Sequence, residues 1–482
     1  MVVATITHLC LSDLHLGAET SLLTQLDANG QPLYGELSPV LDTLIACIRD
    51  LLAPQAGQPD KPTLVLAGDV LELALAHTHE AAMSFERFLL ALFPGGEQDL
   101  FSRKVLLLPG NHDHHLWEAA REQYYVDFLR TVPVGQPLGP AWSVTRLYAV
   151  DDGIGWPRSV LLESLARRHP CLADLDVELV YPNYGLVTPD RTRTVVITHG
   201  HYVEPIYMAM SALRTFLFPE QPAAATIEDI QQENFAWVDF FWSTMGRSGA
   251  AGDGVQRVYE MAASPGGIDK LSERVAKGVV KHWGRPMFPD ALEQFAIKSF
   301  VKTLFESAFS HERGHVMDPL SEATAKGLDD YITGPLNRQI RHERRHDRVP
   351  EHLTVVFGHT HKPFERRRAM RGFAHPVVVF NTGGWVVDKI TAEPLYGGAI
   401  VVVDEDLNCA SLRMYNEPER GARPQPVRVA APEQAGGNPL AAALASRLAA
   451  SQAAASNPWA RFTEAVGFAL EQRAWALERR SC

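Results

Sequence analysis

Leu11-Ser12-Asp13-Leu14-His15-Leu16-Gly17 is the stretch on which the reading of this chain turns. It closes an apolar run, residues 6–11, broken only by Thr7 and His8, that reads as a strand entering a core. The run ends abruptly in an acid and an imidazole two residues apart. In an extended backbone, residues i and i+2 point to the same side. Asp13 and His15 can therefore aim at one point just past the strand. A carboxylate and an imidazole converging there suit a divalent cation of borderline hardness. Taken alone, an Asp-x-His pair is more often a surface turn. It gains weight because the construction recurs four more times.

Working outward, residues 63–67 are nearly all apolar, as in a strand buried on both faces, and end in Gly68-Asp69. Residues 104–108 end in Pro109-Gly110-Asn111-His112-Asp113. Residues 194–197 end in Thr198-His199-Gly200-His201, and 353–357 end in Gly358-His359-Thr360-His361. Between the first three runs, residues 39–52 and 78–92 carry apolar positions at helical spacing. Strand, polar tip and helix alternate, which is the pattern of a sheet covered by helices with its chemistry at the carboxyl ends of the strands. Further strands are expected at 142–150, 177–181, 377–380, 399–403 and 410–415, and a helix at 160–168.

The rhythm breaks from 202 to 350, where helical periods at 205–218, 226–245, 289–309 and 321–345 are divided by a glycine-rich break at 246–254. The expected organisation is a core in two parts, 1–204 and 351–416, a helical insertion or lid at 205–350, and a tail at 417–482. In the tail, a linker at 417–438 precedes one or two Ala-rich helices.

A chain of 482 residues with 46% apolar and 21% charged residues reads as an ordinary globular protein able to bury a large core. A net charge of −12 argues against a general nucleic-acid coat or a binder of anionic membranes. Cys10, Cys47, Cys171, Cys409 and Cys482 are scattered, with no close pair, so neither a zinc knuckle nor a disulfide framework is indicated. The first residues lack the basic start and apolar run of a signal peptide, and no stretch has the length of a spanning helix. The expectation is a cytoplasmic protein without a transmembrane segment.

In order, Asp-x-His, Gly-Asp, Gly-Asn-His-Asp, His-Gly and Gly-His-Thr-His resemble the blocks of the calcineurin-like metallophosphoesterase family. The resemblance covers residues 5–201 and 353–415. It implies an α/β fold, a sandwich of two mixed sheets flanked by helices, here with the helical insertion and the α-helical tail. It also implies two divalent metal ions. Carried across by motif, Asp13, His15, Asp69 and His361 would hold the first metal. Asp69, Asn111, His199 and His359 would hold the second, with Asp69 bridging. His112 would stand beside the reacting phosphate without binding metal, and Glu72, where the family often has an acid, would orient it.

The residue types suit such chemistry. A phosphate ester resists attack because its oxygens repel an incoming anion. Two metal ions about 3.5–4 Å apart neutralise those oxygens, and a water held between them loses a proton near neutral pH. The expectation is that a bridging hydroxide would attack phosphorus, while His112 would protonate or stabilise the leaving oxygen. Imidazole with carboxylate accepts manganese, iron or zinc, and manganese is the first expectation.

The substrate is left open. The family's protein phosphatases typically carry Asp-Arg-Gly after the second block, and this chain has Glu72-Leu73-Ala74. A phosphate-gripping arginine is thereby absent, which disfavours phosphoproteins. The Ser-Asp-Leu-His-Leu start and His-Thr-His-x-Pro look more like the family's pyrophosphohydrolases, cyclic-nucleotide phosphodiesterases and DNA nucleases. The pyrophosphohydrolases usually follow His-Gly with Asp, where this chain has His201. The expected partner is a small phosphorylated substrate; nucleic acid is disfavoured by charge. The alternatives are a nuclease, a nucleotide-type pyrophosphohydrolase, or a non-catalytic scaffold of the same fold. The C-terminal helices are open to a protein partner. Basic residues flank the fifth block: Arg338, Arg341, Arg344, Arg345 and Arg348 before it, and Arg366, Arg367, Arg368 and Arg371 after it. They read as a solvated surface, with a phosphate-attracting rim as the alternative.

Overall fold

Fourteen strands run along the chain among the described residues, and the central ones arise from apolar runs such as residues 63–66 and 353–357. They are β1 (Ile6–Leu11), β2 (Thr24–Leu26), β3 (Pro32–Leu37), β4 (Thr63–Leu66), β5 (Lys104–Leu107), β6 (Asp176–Leu179) and β7 (Asn183–Val187). After them come β8 (Arg193–Thr198), β9 (His352–Phe357), β10 (Phe364–Arg368), β11 (Val377–Asn381), β12 (Gly397–Asp404), β13 (Cys409–Asn416) and β14 (Arg428–Ala430). The computed structural model describes residues 5–149, 155–239, 318–344, 349–387, 392–419, 422–433 and 437–481. The chain divides into two compact units, Met1–Gly200 with Arg338–Cys482, and His201–Asn337.

The first unit holds both large sheets. One has seven strands in the order β14-β13-β12-β1-β4-β5-β6, the other five in the order β10-β11-β9-β8-β7. Both are mixed. β1, β4, β5 and β6 run parallel, with antiparallel β12, β13 and β14 extending the sheet beyond β1. In the second sheet β8, β9 and β11 are parallel and the two edges antiparallel. Alternation along the central strands sends side chains to opposite faces. Cys10, Val65, Leu106 and Val401 meet Val195, Ile197, Val356 and Phe380 of the other sheet. Leu9, Leu11, Leu64, Leu66, Val105 and Leu107 face the helices instead.

Those helices begin where the sequence supplies caps. Ser38 accepts the N–H of Leu41 at 3.0 Å, Pro39 takes the first helical position, and Pro39–Leu52 follows. Asn438 caps the helix Pro439–Gln452 in the same way. The two tail helices, Pro439–Gln452 and Pro458–Ser481, belong to this core. Leu440, Leu444, Trp459, Phe462 and Val466 are buried in the cluster that covers the seven-stranded sheet.

Several expected elements differ. No strand forms at 142–149; Tyr148 makes only an isolated bridge to Gly185, and Glu343 accepts the N–H groups of Leu147 and Tyr148 in place of a ladder. The helix His114–Leu129 carries no apolar stripe that reads from sequence; its buried residues are His114, Leu116, Trp117 and Ala120. β10 is a charged edge strand, Phe364-Glu365-Arg366-Arg367-Arg368, a composition that guards an open edge. β14 lies within the expected linker.

In the second unit, Ala209–Leu217 and Ile227–Val238 are joined by Asn234, which accepts from Met210 N–H at 3.0 Å and donates to Ser211 Oγ at 2.7 Å. Glu322–Tyr331 also belongs to this unit, and Gly327 packs directly on the Val203 carbonyl. The expected helix at 289–309, the break at 246–254, and Arg345 and Arg348 lie outside the described residues. Among the described residues no helix is long and apolar enough to cross a membrane.

Candidate metal centre

Register brings the strand ends level. Leu11 pairs with Leu66 and Leu66 with Leu107, so the tips after β1, β4 and β5 emerge side by side. In the other sheet Ile197 pairs with Val356. The tips are then tied together. Asp13 N–H donates to the Gly68 carbonyl at 2.9 Å and His15 N–H to that of Asp69 at 2.9 Å. Gly358 N–H donates to the His199 carbonyl at 3.0 Å. Between the sheets, His359 N–H lies 3.0 Å from both carboxylate oxygens of Asp13.

The backbone at these tips is unusual. Seven non-glycine residues among those described have positive φ, and five of them are Asp13 (52°), His15 (45°), Asp69 (49°), His359 (69°) and His361 (55°). Left-handed geometry costs an L-residue about 1–2 kcal/mol, and such residues cluster where function demands a direction. Space is tight as well. A Cβ on Gly110 would strike the Asp69 carboxylate, and one on Gly358 would strike Asp13 and Ser12. Only glycine allows the third and fifth tips to close over those acids.

Two clusters result. In one, His361 Nε2 lies 3.5 Å from Asp13 Oδ1 and 3.4 Å from His15 Nε2. In the other, His199 Nε2 lies 3.3 Å from Asp69 Oδ2, 2.9 Å from Asn111 Oδ1 and 3.2 Å from His359 Nδ1. Asp69 Oδ2 is also 3.9 Å from His15 Nε2, so this carboxylate stands between the clusters. Candidate ligand atoms within each of the sets Asp13/His15/His361 and Asp69/His199/His359 fall within 4.8 Å of one another. The structure thus brings together every site residue expected from the sequence.

The hydrogen bonds behind the imidazoles decide what they offer. His15 Nδ1 sits 2.8 Å from Glu72 Oε2, and His199 Nδ1 sits 3.1 Å from the Ala67 carbonyl. Each bond calls for a proton on Nδ1 and leaves the Nε2 lone pair facing its cluster, the tautomer a metal ligand needs. The donor set therefore fits divalent cations: buried carboxylates, an amide oxygen and inward-facing imidazole lone pairs. His112 is held likewise, with Nδ1 2.9 Å from Glu72 Oε1. Glu72 is buried and also accepts the N–H groups of Ala74 and Leu75 at 3.1 and 2.9 Å. Its bond to His15 was not legible from sequence. Asp113 stabilises its own turn, taking the N–H groups of Gly110 (2.6 Å) and Val70 (2.9 Å).

The electrostatics agree. Burial disfavours charge on Asp13, but His361 and His199 hold its carboxyl below the usual range. Asp69 is held well below it against the same burial, chiefly by His199 and His112, and Glu72 is held down by His112 and His15. Conversely, burial opposes a proton on His112, but Glu72 and Asp69 push it up to about 9. Asp69 and Asp13 push His199 up to about 9, again against burial. A centre that draws protons so strongly attracts any cation. Asp13, His15, Asp69, Asn111 and His199 are buried, whereas His112, His359 and His361 are partly exposed and form the open side.

A family model described as calcineurin-like phosphoesterase matches residues 6–208. No curated protein matches. Among solved structures, a phosphopantetheinyl hydrolase from Mycobacterium tuberculosis aligns over 80% of this chain and 91% of its own, at 15% identity and a TM-score of 0.23. At that score the superposition bears no weight here. The family match lies across the first four blocks of the centre, so residues 6–208 are similar to the calcineurin-like phosphoesterases.

Proposed function

We propose that the chain hydrolyses a phosphate mono- or diester at a centre for two divalent cations. Asp13, His15, Asp69 and His361 would hold one; Asp69, Asn111, His199 and His359 would hold the other. The observation that carries this reading is the position of Asp69 Oδ2, 3.3 Å from His199 Nε2 and 3.9 Å from His15 Nε2, with one imidazole from each sheet. Bound there, the cations would supply the positive charge that offsets the phosphate oxygens and makes water acidic enough to attack.

The chain's own groups do the rest. Glu72 keeps a proton on His112 Nδ1, and Nε2 is the nitrogen that Glu72 does not engage. Backed by the Glu72 carboxylate, His112 would give its Nε2 proton to the leaving oxygen. Glu72 fixes His15 and His112 with its two oxygens, so the leaving-group acid and a cation ligand share one buried support. The mixed donor set favours manganese, with iron or zinc as alternatives. Free Cys10, Cys47, Cys171 and Cys409 support a reducing, cytoplasmic setting.

The test is hydrolysis of aryl phosphate mono- and diesters by Mn²⁺-loaded protein. Turnover of at least one type is expected, lost in His112→Ala by about 10²–10⁴-fold. The loss should shrink for esters whose leaving group needs no proton. Inert loaded protein, or a fully active His112→Ala, would overturn the assignment.

A further inference from the structure

Ser12, Thr382 and Asn381 lie at the tips of β1 and β11 with no exposed surface, and no reaction step claims them. Resting on the two-cation reading above, we propose that they are positioning residues with separate duties. The Ser12–Thr382 hydroxyl pair sets which oxygen of Asp13 faces its cation, and the Asn381 amide sets the turn that carries His359 and His361.

The hydroxyls form a directed relay. Ser12 Oγ donates to Asp13 Oδ2 and lies 2.5 Å from Thr382 Oγ1. Thr382 Oγ1 also reaches the Phe357 carbonyl at 3.1 Å, whose second lone pair is open beside the one that takes Thr382 N–H at 2.9 Å. Two hydroxyl oxygens as close as those of Ser12 and Thr382 need a proton between them, and with the Ser12 proton on the carboxylate it is the Thr382 proton, shared with the Phe357 carbonyl, each donor polarising the next. With Oδ2 engaged by Ser12, it is Oδ1 that stands 3.5 Å from His361 Nε2. The relay spans the two sheets, since Thr382 follows β11 of the five-stranded sheet and Ser12 follows β1 of the seven-stranded one.

Asn381 works on the turn. Its Nδ2 donates to the Gly358 carbonyl at 2.7 Å and to Thr360 Oγ1 at 3.1 Å, and its Oδ1 accepts Gly383 N–H at 2.8 Å. The two residues it grips flank His359, whose φ of 69° L side chains rarely adopt. That turn supplies one imidazole to each cluster. Loss of the Ser12–Thr382 relay should thus disturb only the Asp13 site, and loss of the Asn381 donors should disturb both.

The experiment is calorimetric titration of full-length, metal-stripped protein with Mn²⁺. It compares wild type with Ser12→Ala, Thr382→Val, Thr382→Ser, Asn381→Asp and Asp13→Asn. Ser12→Ala and Thr382→Val should weaken one binding step by about 10–100-fold and leave the other within about twofold. Thr382→Ser, which keeps the hydroxyl, should restore it. Asn381→Asp should weaken both steps. Wild-type affinity in both steps for Ser12→Ala and Thr382→Val would overturn the proposal. So would a Thr382→Ser as weak as Thr382→Val, because packing of the methyl group would then be the cause. Should Ser12→Ala fail to fold, the valine and serine variants of Thr382 decide alone. If Asp13→Asn binds both ions as wild type does, the two-cation reading itself fails instead.

Discussion

The two sheets bring different chemistry to the same point. The seven-stranded sheet contributes Asp13 and His15 after β1, Asp69 and Glu72 after β4, and Asn111 and His112 after β5. The five-stranded sheet contributes only imidazoles, His199 after β8 and His359 and His361 after β9. One sheet carries all the negative charge; the other carries most of the nitrogen donors. The acids alone would suit calcium or magnesium, and the imidazoles shift the preference toward first-row transition metals. The Asp13/His15/His361 and Asp69/His199/His359 clusters each draw on both sheets, so they are complete only when the sheets pack face to face. Asp69, between the clusters, is where the two contributions meet.

The sharpest way to break that junction is Asp69→Asn, which keeps the shape and removes the charge. Both cations should be lost, and activity should fall by more than the about 10–100-fold typical of a lost supporting hydrogen bond. Metal analysis beside a hydrolysis assay checks this. One metal retained at full affinity would show that Asp69 serves a single cluster.

Removing the helix Pro458–Ser481 should come next, because it strips Trp459, Phe462 and Val466 from the core over the seven-stranded sheet. The shortened chain should fail to fold, as judged by loss of a cooperative melt. A folded and active product would show that the helix serves something other than the core. Within that helix, buried Arg473 donates to the Ser21 carbonyl at 2.9 Å and to that of Thr24, in the segment after the β1 tip. Arg473→Met leaves both carbonyls without that donor and should cost about 1–3 kcal/mol in denaturant unfolding.

How much of this was legible follows from the same contrast. Buried strands that end in Gly, Asp or His declare themselves, because an apolar run that stops at charged residues marks the point where the chain leaves the core. That signal located β1, β4, β5, β8 and β9 and all of their tip residues. It failed where burial was partial. The second half of His114–Leu129 mixes Tyr124, Tyr125 and Phe128 with charge and buries none of them fully. β10 hides as a run of arginines, and β7 as Asn183-Tyr184-Gly185 after a proline. Ser12, Asn381 and Thr382 were in plain sight, but buried hydroxyls and amides carry no spacing rule. The tail read as separate Ala-rich helices because alanine content reports helix propensity and not what a helix packs against.

A subtler probe touches the packing between the sheets. His8 on β1 faces Tyr184 of β7, with ring centres 6.2 Å apart. Burial lowers its pKa from 6.5 to about 4. Between those values the unfolded chain binds a proton that the folded chain refuses. Stability is therefore lost as pH falls through 6.5, and the loss levels off below about 4. From pH 7 to pH 5 this amounts to about 2 kcal/mol. His8→Gln should flatten that part of the pH profile of unfolding; an unchanged slope would place the acid sensitivity elsewhere.

Anomalous diffraction from crystals grown with Mn²⁺ tests the convergence of the two sheets most directly. The account predicts two peaks flanking Asp69, one against Asp13, His15 and His361, the other against Asn111, His199 and His359. A lone peak away from Asp69, or His359 and Asn111 turned outward from the metal, would contradict it.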